Sequence, residues 1–510
     1  SELGRMKALR FLAQGLASPA RRNPQWFGLR RDGLSVRDRR LSSSTPMPIP
    51  KLKEVTDQEK NILIWEYAEK PDYSLGIDDV YQLYHRGPHG KDALVQSAMF
   101  VKKLLPAMLA KRVKDLQAMP VPFQQTGGSI FEICALYEQS FLHVLQAPDP
   151  TTFELQEEFT WLLSFIKNQH LATRQLISQA FQNIRCTGGG EWRDAHGNLL
   201  YVDDPGRTKV QEIIQRFYNG RVALRLLVDQ HVHLRRDVLE ITDWQPKSGD
   251  LQEYVWRKIL DKEKQTPASP STAASRERYW GIVHPKLGVM SVLEIAAADA
   301  QSAAAACVSE ACGKYMVDEI EIKFRGDLGA SFTYVPEHLY LIAADVLANA
   351  LRATAERHGP TLSSGGSLPP VTVTISEGSN IFIRITDQGG GVAHAAETKV
   401  WKFSYTDSLR MDGITKSGAS STTSAALAAG RQGLPLCRVY ARFWGGDVTL
   451  MNVENWGCSF LIRLPKKRSV GQMFQLGKGD HYQTVGGSLS NSTRHTYPGA
   501  AGDLPPLSVP

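Results

Sequence analysis

Asp345, Asn349 and Arg352 fall four and then three residues apart within VPEHLYLIAADVLANALRATAERHG, residues 335–359. On a helix that spacing stacks a carboxylate, an amide and a guanidinium on one face. Their chemistry is proton acceptance and the binding of a charged ligand. A solvated face with a few charges has the same pattern, so the downstream residues carry the weight. There Asp387-Gln388-Gly389-Gly390-Gly391-Val392 sets a carboxylate ahead of three glycines. Such a turn lets backbone approach a ligand closely while the carboxylate accepts a specific hydrogen bond. Gly433-Leu434-Pro435 is a third element, a glycine-led helix start, where backbone N–H groups and the helix dipole favour anions.

The elements that must position these residues are legible from periodicity. Leu339, Ile342, Val346, Leu347 and Leu351 recur at helical spacing, with Pro336 at the start and Gly359 at the end, so a helix spans this stretch. VTVTIS (371–376) and IFIRIT (381–386), separated by EGSN, read as a hairpin whose second strand runs into Asp387. LCRVYARFW, before Gly445-Gly446, continues the helix opened at Gly433. Strands are expected at 319–324, 331–335, 447–453 and 458–465, and a helix over 288–316. A mixed sheet with helices on one face is an α/β sandwich, here from about Tyr279 to Lys466.

Upstream the pattern is helical without strands, at 57–75, 91–118, about 128–146, 152–184 and 208–236. Long amphipathic helices in series predict a bundle over 57–243. The fold class is therefore α+β and multidomain. Cys186 to Lys209 interrupts the bundle with a small hairpin, GEWRDAHGNLLYVDD. Residues 244–278, ending TPASPSTAASRER, form a polar, mobile insertion between the two domains.

Length, 510 residues, is ample for two cores. Lys and Arg number 59 against 52 Asp and Glu, a net charge of +7. Much of the excess lies before residue 41, where Arg10, Arg21, Arg22, Arg30, Arg31, Arg37 and Arg39 meet only Asp32 and Asp38 between Arg5 and Arg40. That composition predicts a mitochondrial transit peptide over 1–42; the other reading is a basic arm for nucleic acid or phospholipid. Cys134, Cys186, Cys307, Cys312, Cys437 and Cys458 are scattered without CxxC spacing, which argues against a zinc site or a secreted disulfide framework. No run of 18 apolar residues appears, so no membrane span is expected, and no nucleic-acid partner. Residues 467–510 read as a disordered tail.

The order of an Asn-bearing helix, a DxGGG turn and a GLP helix start resembles the N, G1 and G2 boxes of the GHKL-type ATP-binding fold. That fold is shared by histidine kinases, gyrase, heat-shock chaperones and mismatch-repair ATPases. More narrowly, NALRATAE after YVPEHLY, ITDQGGGV and GLPLCRVYARFWGGD are similar to the mitochondrial kinases of pyruvate dehydrogenase and branched-chain 2-oxoacid dehydrogenase. KKLLPAMLAKRVKDLQAMP and RVALRLLVDQHV extend the resemblance into the bundle, so that it covers about 58–466. His170, in KNQHLATRQLISQAF, matches a histidine the family carries in its bundle, and we assign it a structural or docking role.

The resemblance implies ATP and Mg2+ as cofactors. Asn349 would ligate magnesium through its side-chain oxygen, as a hard cation prefers. Asp387 would accept from the adenine amino group, with Gly389 and Gly391 permitting close approach. Gly433 and Leu434 would offer backbone N–H to phosphate, and Arg352 would meet a phosphate or form a structural salt bridge. Thr406, in KFSYTDSL, matches a short family segment after the G1 box, and residues 408–430 would form a lid. Asp345 stands where the family has a glutamate that orients or deprotonates the substrate hydroxyl, and is the catalytic candidate.

Several positions depart from the family. Leu341 replaces a histidine, the lid reads AGRQGLP with Arg431 in place of glycine, and Gly457-Cys458-Ser459 lacks a threonine. Arg431 is read either as strained or as a phosphate clamp. No Asp-Trp pair follows Lys466, which puts tail-mediated dimer control in doubt. The expectation is a protein serine/threonine kinase of the mitochondrial matrix acting on the E1 alpha subunit of a 2-oxoacid dehydrogenase complex, pyruvate dehydrogenase favoured. It would dock on the lipoyl domain of E2 and dimerise with itself or a related kinase. The alternative is a catalytically impaired, kinase-like regulatory subunit. A two-component kinase is least favoured, for no phosphoacceptor His-Asp/Glu helix lies between Tyr279 and Glu337.

Overall fold

The computed structural model describes residues 52–71, 77, 90–120, 123, 128–187, 192–193, 199–200, 205–239, 250–265, 281–308, 317–359, 368–403 and 433–466. The transit-peptide segment, residues 408–430, and the tail lie outside the described residues.

The N-terminal half is a helical bundle of α1 (Asp57–Ala68), α2 (Lys91–Gln117), α3 (Ser129–Gln146), α4 (Phe153–Gln169), α5 (Thr173–Thr187) and α6 (Pro205–Val238). The first helix starts on a capping box, in which Glu59 N donates to Thr56 Oγ1 (3.2 Å) and Thr56 N donates back to Glu59 (3.0 Å). It ends at Ala68, seven residues before the expected 75. The expected helix over 152–184 is two helices, broken by a 3-10 turn at His170–Ala172. By length and composition α2 alone of the described helices could cross a membrane. Its apolar side, including Leu105, Leu109 and Leu116, is packed in the bundle core, and Lys102, Lys103, Lys111 and Lys114 interrupt the rest.

Several polar groups inside the bundle are paired, as burial favours. His231 of α6 is fully buried between Ser97 Oγ (2.8 Å) and Thr160 Oγ1 (2.7 Å). Burial pushes its pKa down to about 3, so it is neutral. A short hairpin of β1 (Trp192–Arg193) and β2 (Leu199–Leu200) stands in the expected place before α6.

Residues 244–278 are not polar throughout: α7 (Leu251–Gln265) lies within them. Val255 and Trp256 are completely buried and Ile259 nearly so. Their spacing, Leu251, Val255, Ile259, is a helical stripe that the surrounding Lys, Asp and Glu obscure in the composition.

The second domain begins with β3 (His284–Gly288), which the sequence did not disclose, and α8 (Val289–Cys307). Next come β4 (Ile322–Gly326), β5 (Ser331–Tyr334), α9 (Pro336–His358), β6 (Val371–Glu377), β7 (Asn380–Thr386), α10 (Gly433–Phe443), β8 (Asp447–Val453) and β9 (Gly457–Pro465). The main sheet runs β4-β6-β7-β9-β8, and β3 pairs separately with β5. β4 and β6 are parallel, Ile322 opposite Val371, so α9 serves as the crossover a parallel pair needs. Every other pair in that sheet is antiparallel.

Alternation along β6, β7 and β9 sends Val371, Val373 and Ile375, then Ile381, Ile383 and Ile385, then Phe460, Ile462 and Leu464 to the helix layer, all buried. Bundle and sheet domain share one continuous apolar core. The architecture is the expected one, a helical bundle followed by an α/β sandwich.

Candidate nucleotide site

The site is assembled on α9. Pro336 in its first turn costs no hydrogen bond there. Residues 338–348 are buried without a break, because α8 and α10 pack on the helix as well as the sheet. Asp345 therefore sits on a nearly closed face, 8% exposed. The thiol of Cys437, on α10, points at its Oδ2 from 3.8 Å. Asn349, one turn on, is half-buried. Its amide enters no hydrogen bond among the described residues, so its carbonyl oxygen is uncommitted. Arg352 forms no ion pair among the described residues, and its buried Nε lacks a partner there. The salt-bridge reading of Arg352 thus has no partner in view.

The DxGGG turn follows β7 and is seated on the same helix. Asp387 N donates to Cys458 O (2.9 Å), and the Asp387 Oδ1 accepts from Gly389 N (2.8 Å) and Cys458 N (3.3 Å). Oδ2 takes neither bond. Burial pushes the Asp387 carboxyl above its ordinary value, while the two backbone N–H groups pull it back down. Next to it the Ser459 hydroxyl, in the turn that lacks the expected threonine, is paired with Thr386 Oγ1 at 2.8 Å.

The glycines turn out to serve packing first. A Cβ on Gly389 would lie 2.4 Å from Ala353 Cβ and 2.9 Å from Thr354 N, one turn past Asn349. Gly391 has φ +72°, and a Cβ there would meet Val453 O at 2.6 Å. The Gly389 contact seats the turn that carries Asp387 on the helix that carries Asn349. His358 Nε2 bonds Gln388 O (2.9 Å) and fixes the turn from the end of α9.

At the other side Gly433 has φ +61°, a backbone conformation that favours glycine, and opens α10. Leu434 is buried behind it. Trp444, just beyond α10, donates to His338 Nδ1 (3.0 Å), and burial pushes that imidazole down to about 3, leaving it a neutral acceptor. Leu341 is buried in the core, 4% exposed. Thr406 and Arg431 lie outside the described residues.

Two contributors were missed by sequence reading. Asn452 on β8 clamps the exit of the glycine turn, accepting from Val392 N (2.8 Å) and donating to Val392 O (2.6 Å) and Glu397 (2.7 Å). The available signal was its parity with Val448 and Leu450, an amide on the inward side of a strand. Cys437 is the second; a small apolar position of α10 that carries a thiol gives no sign in sequence that it faces Asp345.

His170 is buried in the bundle, its Nε2 paired with Ser140 Oγ (2.9 Å) and its carbonyl accepting from Arg221 (2.8 Å). Burial, reinforced by Arg221 and Arg225, holds its pKa well below the ordinary value. It is far along the chain from every group of the site and has the partners of a structural histidine.

Known proteins match this architecture part by part. The family model for mitochondrial branched-chain alpha-ketoacid dehydrogenase kinase covers residues 79–284, most of the bundle. The model for histidine kinase-, DNA gyrase B- and HSP90-like ATPases covers residues 334–468, from α9 to the last strand. The mitochondrial [pyruvate dehydrogenase (acetyl-transferring)] kinase of Drosophila melanogaster is 26% identical over 379 residues, 72% of this chain and 77% of its own length. The corresponding kinase of Schizosaccharomyces pombe is 24% identical over 461 residues, 80% of this chain and 96% of its own. The human isozyme 4 is 24% identical over 400 residues, 76% and 82% respectively. Helical half, ATPase half and long relatives agree in their likeness: the chain is similar to the mitochondrial pyruvate dehydrogenase and branched-chain 2-oxoacid dehydrogenase kinases, with a histidine-kinase-like ATPase fold in its second half.

Proposed function

We propose that the chain is a mitochondrial protein serine/threonine kinase that transfers the ATP γ-phosphate to the E1 alpha subunit of a 2-oxoacid dehydrogenase complex, pyruvate dehydrogenase in the first place, and so inhibits it in the matrix. The observation that carries this reading is the seating of the Asp387 turn on α9 one turn past Asn349, with α10 opening at Gly433 against the same helix.

In this reading Asp387 Oδ2 accepts from the adenine amino group. Gly433 and Leu434 present backbone N–H to phosphate, and Arg352 supplies a guanidinium. An amide oxygen on Asn349 without a partner among the described residues fits a hard cation held largely by phosphates and waters. Magnesium, when bound, neutralises charge on the triphosphate. Asp345 takes the proton of the substrate hydroxyl. A base working near neutral pH acts best when its proton affinity is matched to that pH.

Two surfaces support the partners. A groove of about 860 Å3 on the bundle is lined by Tyr67, Met99, Phe100, Lys70 and Lys103, apolar walls with cations for the lipoyl domain of E2. On the edge strand β8, Met451 and Val453 are exposed, with Trp456 at the hairpin tip, a surface suited to a second copy or a related kinase.

The test is transfer of labelled phosphate from MgATP to purified E1. Asn349→Ala is expected to weaken MgATP binding by about thirtyfold, roughly 2 kcal/mol, with transfer falling in step; unchanged affinity would remove Asn349 from the site. The kinase-like regulatory subunit remains the second reading because Asp345 is one methylene short and Leu341 is apolar. It predicts nucleotide binding with no transfer.

A further inference from the structure

The stretch that leaves the glycine turn ends on the bundle. Val392 and Glu397 are held by Asn452, and two 3-10 turns, His394–Ala396 and Lys399–Trp401, carry the chain on to Phe403. There it meets α6. Gln211 Nε2 donates to Trp401 O (3.3 Å), and Gln211 Oε1 accepts from Phe403 N (2.7 Å). A carbonyl and an N–H that flank one residue, here Lys402, are the pair a parallel strand would engage; one side-chain amide engages both. Tyr218, seven residues on and so on the same side of α6, stacks on the buried Phe403 ring at 5.3 Å and 21°.

The same segment touches α10. The Arg438 guanidinium lies over the Trp401 ring, 4.5 Å from its centre, and Phe460 of β9 meets that ring edge-on at 6.4 Å. Arg438 is not free to swing. Asp447, at the start of β8, accepts from Arg438 Nε (3.0 Å) and from Arg442 Nε (2.9 Å). Arg438 stands five residues past Gly433 on one helix, a rise of about 8 Å at 1.5 Å per residue.

We propose that Gln211 is a positioning residue for the nucleotide site: by holding Trp401 and Phe403 on the bundle it fixes Trp401 against Arg438, and with it the placement of α10. A single 3-10 turn closed by Lys402 N to Lys399 O (2.9 Å) does not hold its own place. The position of Trp401 is therefore set by what grips it, Gln211 and Tyr218 from the bundle and Arg438 and Phe460 from the sheet domain. Without the Gln211 amide, Trp401 O and Phe403 N turn to water and the segment draws away from α6. The face that Trp401 offers Arg438 then shifts, and α10 loses a fixed neighbour at its second turn. A small displacement there reaches Gly433 along a rigid element.

The inference rests on α10 being the helix that opens on the phosphates, and the experiment separates the two. Affinity of the full chain for a non-hydrolysable MgATP analogue is measured for wild type, Gln211→Ala, Arg438→Met and the double variant, with thermal midpoints and amide hydrogen exchange. We expect Gln211→Ala to bind about fivefold more weakly, with faster exchange at Phe403 and at residues 437–440 and a midpoint lowered by no more than about 4 °C. In the Arg438→Met background, where Trp401 no longer grips α10, the same change should cost less than twofold. A lowered midpoint with wild-type affinity would make Gln211 a structural contact only and overturn the proposal. So would a full fivefold loss repeated in the Arg438→Met background. If the wild type binds no nucleotide, the site reading fails and the clamp is judged by exchange alone: faster exchange at 437–440 in Gln211→Ala supports it, and unchanged exchange overturns it. Should Gln211→Ala not fold, Gln211→Glu decides, since it keeps an acceptor for Phe403 N and sets an oxygen against Trp401 O. Weaker binding by that variant supports the clamp, and wild-type affinity ends it.

Discussion

Asp345→Asn is expected to slow phosphate transfer to E1 by about a thousandfold while leaving MgATP affinity within about twofold. The substitution keeps the shape of the side chain, so its contact with the Cys437 thiol at 3.8 Å has a partner still. The carboxylate is 8% exposed, on the face of α9 that packs against α10. What the amide cannot do is accept the proton of a serine or threonine hydroxyl. A loss confined to kcat marks an interaction made in the transition state, whereas a matched loss in nucleotide affinity would place Asp345 on the metal or the phosphates instead. The reverse change, Asp345→Glu, extends the base by one methylene to the length the family uses and should raise the rate, since a catalytic group works only within a narrow range of placement. Cys437→Ala is the control: removal of a weak thiol donor should leave the rate nearly as it was. Equal rates for wild type and Asp345→Asn would take the base role away from Asp345.

Much of this site was legible because it is written in local patterns. Pro336 and the Leu339, Ile342, Val346 spacing mark α9, and the alternation of β6 and β7 with the Asp387 turn at its end marks the hairpin. What was not legible depends on contacts between distant segments. β3 contains a proline and a lysine in five residues, and only its pairing with β5 makes it a strand. α7 is rich in charge, and the groups that make Glu253, Asp250 and Gln252 tolerable in the interior come from α4, α6 and α9. A buried ion pair has no signature in either of its two sequences. The glycines of the DxGGG turn were read as making room for a ligand; two of them make room for α9 and β8.

Gly389→Ala tests that revision directly and should unfold the sheet domain more readily as well as abolish nucleotide binding. Its new Cβ would stand 2.4 Å from Ala353 Cβ, 2.7 Å from Ala353 C and 2.9 Å from Thr354 N. Two of those three atoms are helix backbone, so no flexible side chain can swing away. Nor can the turn retreat without loss, because Gly389 N is bonded to Asp387 Oδ1 (2.8 Å), Gly390 N to Trp456 O (3.1 Å) and Gln388 O to His358 (2.9 Å). Either α9 is pushed off the sheet with Asn349, or the turn lifts and carries Asp387 away from it. We expect a cost of about 3 kcal/mol, as for overpacking against fixed backbone, and a fall in the thermal midpoint of about 6–12 °C. Gly378→Ala is the companion, for in the hairpin turn its Cβ would meet only Asn380 O, at 4.0 Å. Urea midpoints and nucleotide affinity measured side by side should separate the two variants cleanly. If Gly389→Ala is as stable as Gly378→Ala and still binds nucleotide, the turn does not rest on α9, and the juxtaposition of Asp387 with Asn349 that underlies the site is lost with it.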